Sequence, residues 1–122
     1  MADCYTIRLA NCAFFARHGV HDEEAFLGQR FFVDAVLEVE QGEAVETDSI
    51  EGTVHYGEAF QVIEEIVTGQ RRNMIEALAL DIAKALTSRF PQIRLARITV
   101  RKPSAAVPGI LDHVEVTVEH RG

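Results

Sequence analysis

Arg71-Arg72-Asn73-Met74-Ile75-Glu76-Ala77-Leu78-Ala79 opens the longest helical pattern in the chain and places one carboxylate in its first turn. Beyond Asn73, apolar residues recur at Ile75, Leu78, Ala79, Ile82, Ala83 and Leu86, the spacing of a helix with one buried face. Asn73 suits an N-cap, and Glu76 three residues later completes a capping-box pattern. One account of Glu76 is therefore local: it reaches back to the Asn73 amide and closes the helix. The other is that a carboxylate beside free backbone N–H groups anchors a ligand that donates hydrogen bonds.

The pattern on either side supplies the fold. The helix from Asn73 ends near Arg89, ahead of Phe90-Pro91, because proline cannot continue it. A helix is expected before it, from about Gly57 to Thr68, with Phe60, Ile63 and Val67 on one side, Val62 and Ile66 close by, and Gly69 as its C-cap. Residues 4–17 alternate as a strand through Tyr5, Ile7 and Leu9, and Gln29–Glu40 alternates through Phe31, Val33, Ala35, Leu37 and Val39. Residues 21–28 between them suit a single turn or a loop excursion. The segment 41–52 reads as a loop bounded by glycines. Two more strands are expected at Leu95–Lys102, through Leu95, Ile98 and Val100, and at 113–120, through Val114, Val116 and Val118. The linker between them, Pro103 to Gly109, carries two prolines and a glycine. The order β-β-α-α-β-β predicts an α+β fold, an antiparallel four-stranded sheet with two helices on one face. Open strand edges in so small a chain make an oligomer, with sheets joined edge to edge, a reasonable expectation.

Size and composition narrow the function. A chain of 122 residues, 48% hydrophobic and 25% charged, is expected to form one domain over residues 1–122. No apolar run approaches a membrane span, and Met1-Ala2-Asp3-Cys4 lacks a basic segment followed by an apolar one, so a cytoplasmic protein without membrane partners is expected. Cys4 and Cys12 lie in one extended segment, roughly 26 Å apart, beyond disulfide reach, and read as reduced packing residues. The net charge is −7, and residues 38–51 hold Glu38, Glu40, Glu43, Glu46, Asp48 and Glu51 without a Lys or Arg. Such a surface repels nucleic acid and polyanions and favours a small, roughly neutral ligand.

Standard sites are missing from the sequence: it has no Gly-x-Gly-x-x-Gly, no phosphate loop and no His-Glu-x-x-His. His18 and His21, joined by His55 or His113, make weak metal ligands, and none is expected. Arg71-Arg72 before a helix could bind an anion or simply be solvated. What remains is a set of polar residues at element ends: Glu24, Tyr56, Glu76 and Lys102.

Together these segments resemble the dihydroneopterin aldolases of folate biosynthesis. The matching stretches are His18-Gly19 followed by Glu24 and Leu27-Gly28-Gln29; Thr53-Val54-His55-Tyr56-Gly57-Glu58; Asn73 to Ala79; and Val100-Arg101-Lys102-Pro103 leading to Pro108-Gly109. They stand in the family's order and spacing over almost the whole chain. Ile75 stands where leucine is more usual, and Arg17 precedes His-Gly where an aromatic or small residue is often found.

The resemblance implies a lyase that cleaves 7,8-dihydroneopterin into 6-hydroxymethyl-7,8-dihydropterin and glycolaldehyde. It also implies the tunnelling fold, whose subunits join sheets into a ring, commonly a tetramer stacked into an octamer, with sites between neighbours. By the same resemblance Glu76 receives the pterin ring N–H and 2-amino group, and the backbone at Ile75 adds a contact. Val54 and Tyr56 come from the adjoining subunit, and Glu24 and Lys102 lie at the reacting side chain. The substrate's own N5–C6 double bond, conjugated to the breaking bond, takes the electrons, so no cofactor, metal or Schiff base is required. The protein then holds the ring and moves protons. Lys102 is the candidate for proton transfer, with Tyr56 and Glu24 as the other groups. Acting as a base, a lysine needs burial or a cationic neighbour such as Arg101. The rival functions are an epimerase of the same family, acting on dihydroneopterin or on its triphosphate at Arg71-Arg72, and a non-catalytic pterin-binding assembly protein.

Overall fold

The computed structural model describes residues 3–122; the expectation that no leader begins at Met1 and Ala2 lies outside the described residues. The elements are β1 (Cys4–Ala16), α1 (Asp22–Leu27), β2 (Gln29–Glu40), α2 (Ala44–Thr47), α3 (Tyr56–Val67), α4 (Ile75–Arg89), β3 (Ile93–Lys102) and β4 (Val114–Arg121). The strands form one antiparallel sheet in the order β1-β2-β3-β4. The long helices α3 and α4 pack together on one face, α3 over β1 and α4 over β3 and β4. The α+β architecture read from the sequence is the one observed. The acidic segment 41–52 departs from a plain loop by one turn of helix, α2. Among the described residues no helix is long and apolar enough to cross a membrane.

Strand β2 is the spine of the core, with Phe31, Val33, Ala35, Leu37 and Val39 all fully buried under the helices. Its period of two is unbroken, so its side chains keep one face throughout. The neighbouring strands change phase. In β1 the pairing slips between Leu9 and Cys12, where Asn11 takes a left-handed φ of 58°. Tyr5, Ile7 and Leu9 face the helix side before this bulge, and Cys12, Phe14 and Ala16 take their place after it. Asn11 N–H donates to Asp34 Oδ1 at 2.6 Å, and the Arg101 guanidinium bridges Asp34 and the Asn11 side chain on the open face of the sheet. In β3 a second slip falls between Leu95 and Ile93, so Ala96, Ile98 and Val100 face the core rather than Leu95.

Several local expectations are corrected. The α4 N-cap is Met74, not Asn73, and no side chain caps it. The backbone of Arg72 is bonded to His18 and Gly19, which holds the link ahead of Asn73 in place, and the first helical bond runs from Leu78 N–H to the Met74 carbonyl. Helix α3 ends on Thr68 rather than Gly69, and its buried stripe is Ala59, Ile63 and Val67. Phe60 lies at the margin, 37% exposed, with its ring 5.3 Å from that of Phe14. Both cysteines are free. Cys12 is buried as expected, but Cys4 is exposed beside Arg94.

Candidate active site

The last residue of β3 is Lys102. It falls on the same side as Val100 and therefore on the helix side of the sheet, at its end. Its Nζ lies 2.6 Å from Glu24 Oε2, with the two side chains 15% and 9% exposed. Glu24 sits in α1, a six-residue helix too short to hold itself. Its other oxygen accepts the His21 backbone N–H at 3.3 Å. Burial pushes the Glu24 carboxyl up, but the bond from Lys102, the His21 amide and the neighbouring positive charge outweigh it and hold the carboxyl below its usual range. Arg101, expected as the cation beside Lys102, points instead to the opposite face and is spent on Asp34 and Asn11. After Lys102 the chain turns through Pro103, and Ser104 exchanges two hydrogen bonds with the Gln29 side chain, fixing the exit of the strand.

The turn between β1 and α1 joins this pair to the start of α4. Gly19 has a φ of 137°, and a Cβ there would overlap the Glu24 carboxyl group. Gly19 N–H donates to the Arg72 carbonyl at 3.0 Å. His18 is 1% exposed: the Arg72 N–H donates to its Nδ1 at 2.9 Å, so Nε2 carries the proton and donates to the Val67 carbonyl at 2.7 Å. Burial lowers the His18 pKa, with Arg71 and Arg72 adding to the effect. Both ring nitrogens are occupied within the chain, which removes His18 from the metal-ligand set considered above. Among the described residues no three His, Cys, Asp or Glu side chains gather as a metal site.

Arg71 does not present an anion site. It donates to the carbonyls of Arg17, Gly19 and His21. Arg72 lies 3.0 Å from Asp81. Three residues on, Ile75 is buried while Glu76 is exposed in the first turn of α4. With Met74 as the N-cap, Glu76 closes no capping box, and its carboxylate is left to face outward beside N–H groups of the first helical turn.

Val54 and Tyr56 lie elsewhere. Val54 is 3% exposed, and Tyr56, the first residue of α3, is 70% exposed. They line an apolar hollow of about 400 Å³ with Tyr5, Ile7, Ile50 and Thr53, where the Tyr5 hydroxyl bonds the Thr53 hydroxyl. Glu24 lines a different hollow of about 370 Å³, with His21, Leu27, Gly28, Gln29 and Ser104. The first opens at the Tyr5–Ile7 end of β1 and the second near Ala16, which pairs with Gln29. About 25–30 Å of strand lies between them. One chain thus brings Glu24 and Lys102 together, links them through Gly19 to the start of α4, and keeps Val54 and Tyr56 apart from both.

The family model for dihydroneopterin aldolase (FolB) matches residues 7–119. The chain belongs to the dihydroneopterin aldolase family. The Methylorubrum extorquens dihydroneopterin aldolase is 37% identical over 118 residues, 97% of this chain and 89% of that protein. The Bacillus subtilis enzyme of the same name is 34% identical over 108 residues, 88% of this chain and 90% of its own length. The crystal structure of Escherichia coli dihydroneopterin aldolase in complex with neopterin shares the fold, with a TM-score of 0.83 at 22% identity, covering 95% of this chain and 98% of that one. The chain's candidate residues form two groups. Glu24 and Lys102 meet at the Gly19 turn, which is bonded to Arg72 ahead of the helix that carries Ile75 and Glu76, and Val54 and Tyr56 line the Tyr5 hollow. Sequence reasoning missed Arg71 and Gly19 as the connection within the first group. The quoted His18-Gly19 pair was the available signal for the turn, and no local pattern marked Arg71.

Proposed function

We propose that this chain is a dihydroneopterin aldolase, a lyase that splits 7,8-dihydroneopterin into 6-hydroxymethyl-7,8-dihydropterin and glycolaldehyde in folate biosynthesis. The observation that carries it, given the family, is the Lys102–Glu24 pair, tied through Gly19 and Arg72 to the segment that leads into a helix whose first-turn carboxylate, Glu76, is unspent on capping. Glu76 receives the ring N–H and 2-amino group, two parallel charge-assisted bonds, and the Ile75 backbone adds a third contact. The glycol side chain then lies against Lys102 and Glu24. Loss of the 2′-hydroxyl proton lets the C1′–C2′ bond break toward the N5–C6 double bond. Glycolaldehyde leaves, and a proton added at C1′ completes the hydroxymethyl group. Two groups 2.6 Å apart, one acidic and one basic, can hold that proton between its removal and its return. The electron sink belongs to the substrate, so the reaction needs neither a metal nor a Schiff base.

The chain acts as a cytoplasmic homo-oligomer, a tetrameric ring or an octamer, with Tyr56 and Val54 of a neighbouring copy closing each site over the pterin ring. The separation of the two hollows along β1 supports this, because one copy cannot place both groups on one small ligand. The C2′ epimer is a natural by-product, since the cleaved intermediate can recombine with glycolaldehyde on its other face. A triphosphate substrate is disfavoured by geometry: Arg71 is bound to three carbonyls and Arg72 is paired with Asp81. Incubation with dihydroneopterin tests the proposal. Stoichiometric glycolaldehyde supports the lyase, and epimer without glycolaldehyde would overturn it.

A further inference from the structure

The helix that carries Glu24 is six residues long and contributes no buried residue to the core. An isolated helix of that length does not persist in water, so its place must be set from outside. Two arginines do this. Arg17 donates to the Ala25 and Phe26 carbonyls at the C-terminal end of α1. Arg71, from the segment ahead of α4, donates through Nε to the Arg17 carbonyl at 3.1 Å and through Nη2 to the carbonyls of Gly19 and His21 at 2.6 and 3.2 Å. The three carbonyls come from alternate residues of one turn, and a planar guanidinium with donors in a fixed fork can gather them together.

Gly19 and His21 are also the two backbone positions that Glu24 rests upon. Its carboxyl group occupies the space a Gly19 side chain would fill, and one of its oxygens accepts the His21 N–H. A single nitrogen of Arg71 therefore holds both backbone supports of the Glu24 carboxylate. We infer that Arg71 is a positioning residue for the Glu24–Lys102 pair, fixing the turn under Glu24 relative to the α4 start that presents Glu76. Arg71 touches neither the proposed ligand edge nor Lys102; it acts through Glu24. The inference rests on the aldolase reading for its kinetic consequence, while its structural part stands by itself.

A double-mutant cycle tests it, with Arg71→Gln made in the wild-type and Glu24→Ala backgrounds. In the wild-type background kcat on dihydroneopterin should fall about 10-fold or more while KM changes little, because a misplacement on the order of 1 Å at a reacting group is costly. In the Glu24→Ala background the same substitution should lower kcat by less than about twofold, the non-additivity expected of residues acting in series. An equal loss in both backgrounds, or a lowered melting temperature with unchanged kcat, would overturn the inference. The Glu24 carboxyl titration, followed by carbon NMR in the folded Arg71→Gln protein, gives a readout free of activity: its midpoint should rise toward the ordinary range as its supports loosen. An unchanged midpoint overturns the inference as well. If the wild type releases no glycolaldehyde, the aldolase reading fails alone, and the titration still decides the role of Arg71. Should Arg71→Gln not fold, Arg71→Lys carries the same measurements.

Discussion

Lys102 Nζ and Glu24 Oε2 lie 2.6 Å apart, joining residues 78 positions distant in the chain at the end of the sheet. Neither side chain is free to move far. Lys102 leaves β3 into Pro103 and a Ser104 pinned by Gln29, and Glu24 rests on Gly19 and His21. Their contact is a consequence of the fold, because β3 is paired to β2 and α1 is the short crossing between β1 and β2.

Replacement of Lys102 by alanine should lower turnover of dihydroneopterin by a factor on the order of 100 or more, because proton transfer loses a positioned group. Neopterin binding should stay within a few-fold of wild type, as the proposed ring contacts are Glu76 and Ile75. Stopped-flow turnover and equilibrium binding on the same preparation check both halves. Normal turnover by Lys102→Ala would remove it from the catalytic role.

Glu76→Ala should do the reverse. Pterin binding should weaken by about 2–4 kcal/mol through loss of charge-assisted bonds. The melting temperature should hardly change, since the Glu76 side chain closes no capping box and is exposed. Calorimetric titration with neopterin and a thermal scan separate these quantities. A large fall in melting temperature with unchanged affinity would return Glu76 to a capping role.

That pair of outcomes bears on what the sequence could and could not convey. Strand β2 was legible to the residue because its alternation runs unbroken from Phe31 to Val39. Strands β1 and β3 were legible in extent but not in face, since each bulge transfers the buried set to the other parity, from Leu9 to Cys12 and from Ile93 to Ala96. The Asn73 cap was misread because capping statistics are local, whereas residue 72 is held by His18 and Gly19, more than fifty positions away. The candidate residues themselves came from element ends and the family resemblance. Their arrangement was not: no spacing in the chain says that Lys102 meets Glu24, that Arg101 turns to Asp34, or that Tyr56 opens on a separate hollow.

Buried His18 gives the protein a pH-dependent stability. Its folded pKa lies below the ordinary value of about 6.5, chiefly through burial. The unfolded chain therefore binds the extra proton first, and stability rises with pH across the window from the lowered folded value up to about 6.5. His18 contributes fully above that window and its contribution is lost as the pH falls through it. Glu24 and Asp34, both held low, act in the same direction, but only from about pH 4.5 and 3.8 downward. Urea unfolding midpoints should thus decline as the pH falls below about 6.5 in the wild type, and His18→Asn should flatten that part of the curve. A wild-type curve that is level there would show that His18 titrates alike in the folded and unfolded chain.

The distance between the two hollows makes a prediction about mixed assemblies. If each site takes Lys102, Glu24 and Glu76 from one copy and Tyr56 and Val54 from a neighbour, then Lys102→Ala and Tyr56→Ala damage different halves of the same site. Each variant alone has every site impaired. In hetero-oligomers formed by co-expression, random pairing leaves about one quarter of the sites with both halves intact and about one quarter with both lost. Turnover should therefore recover to about a quarter of the wild-type rate per site, well above the sum of the separate variants. Mixing Lys102→Ala with Glu24→Ala serves as the control: both lesions fall on one half, no pairing restores an intact site by exchange of Tyr56, and complementation should be absent. No recovery in the Tyr56 mixture, with hetero-oligomers verified by mass spectrometry, would place all five residues in a single copy's site, against the separation along β1 seen in the fold, whereas recovery in the control would put Lys102 and Glu24 on different copies.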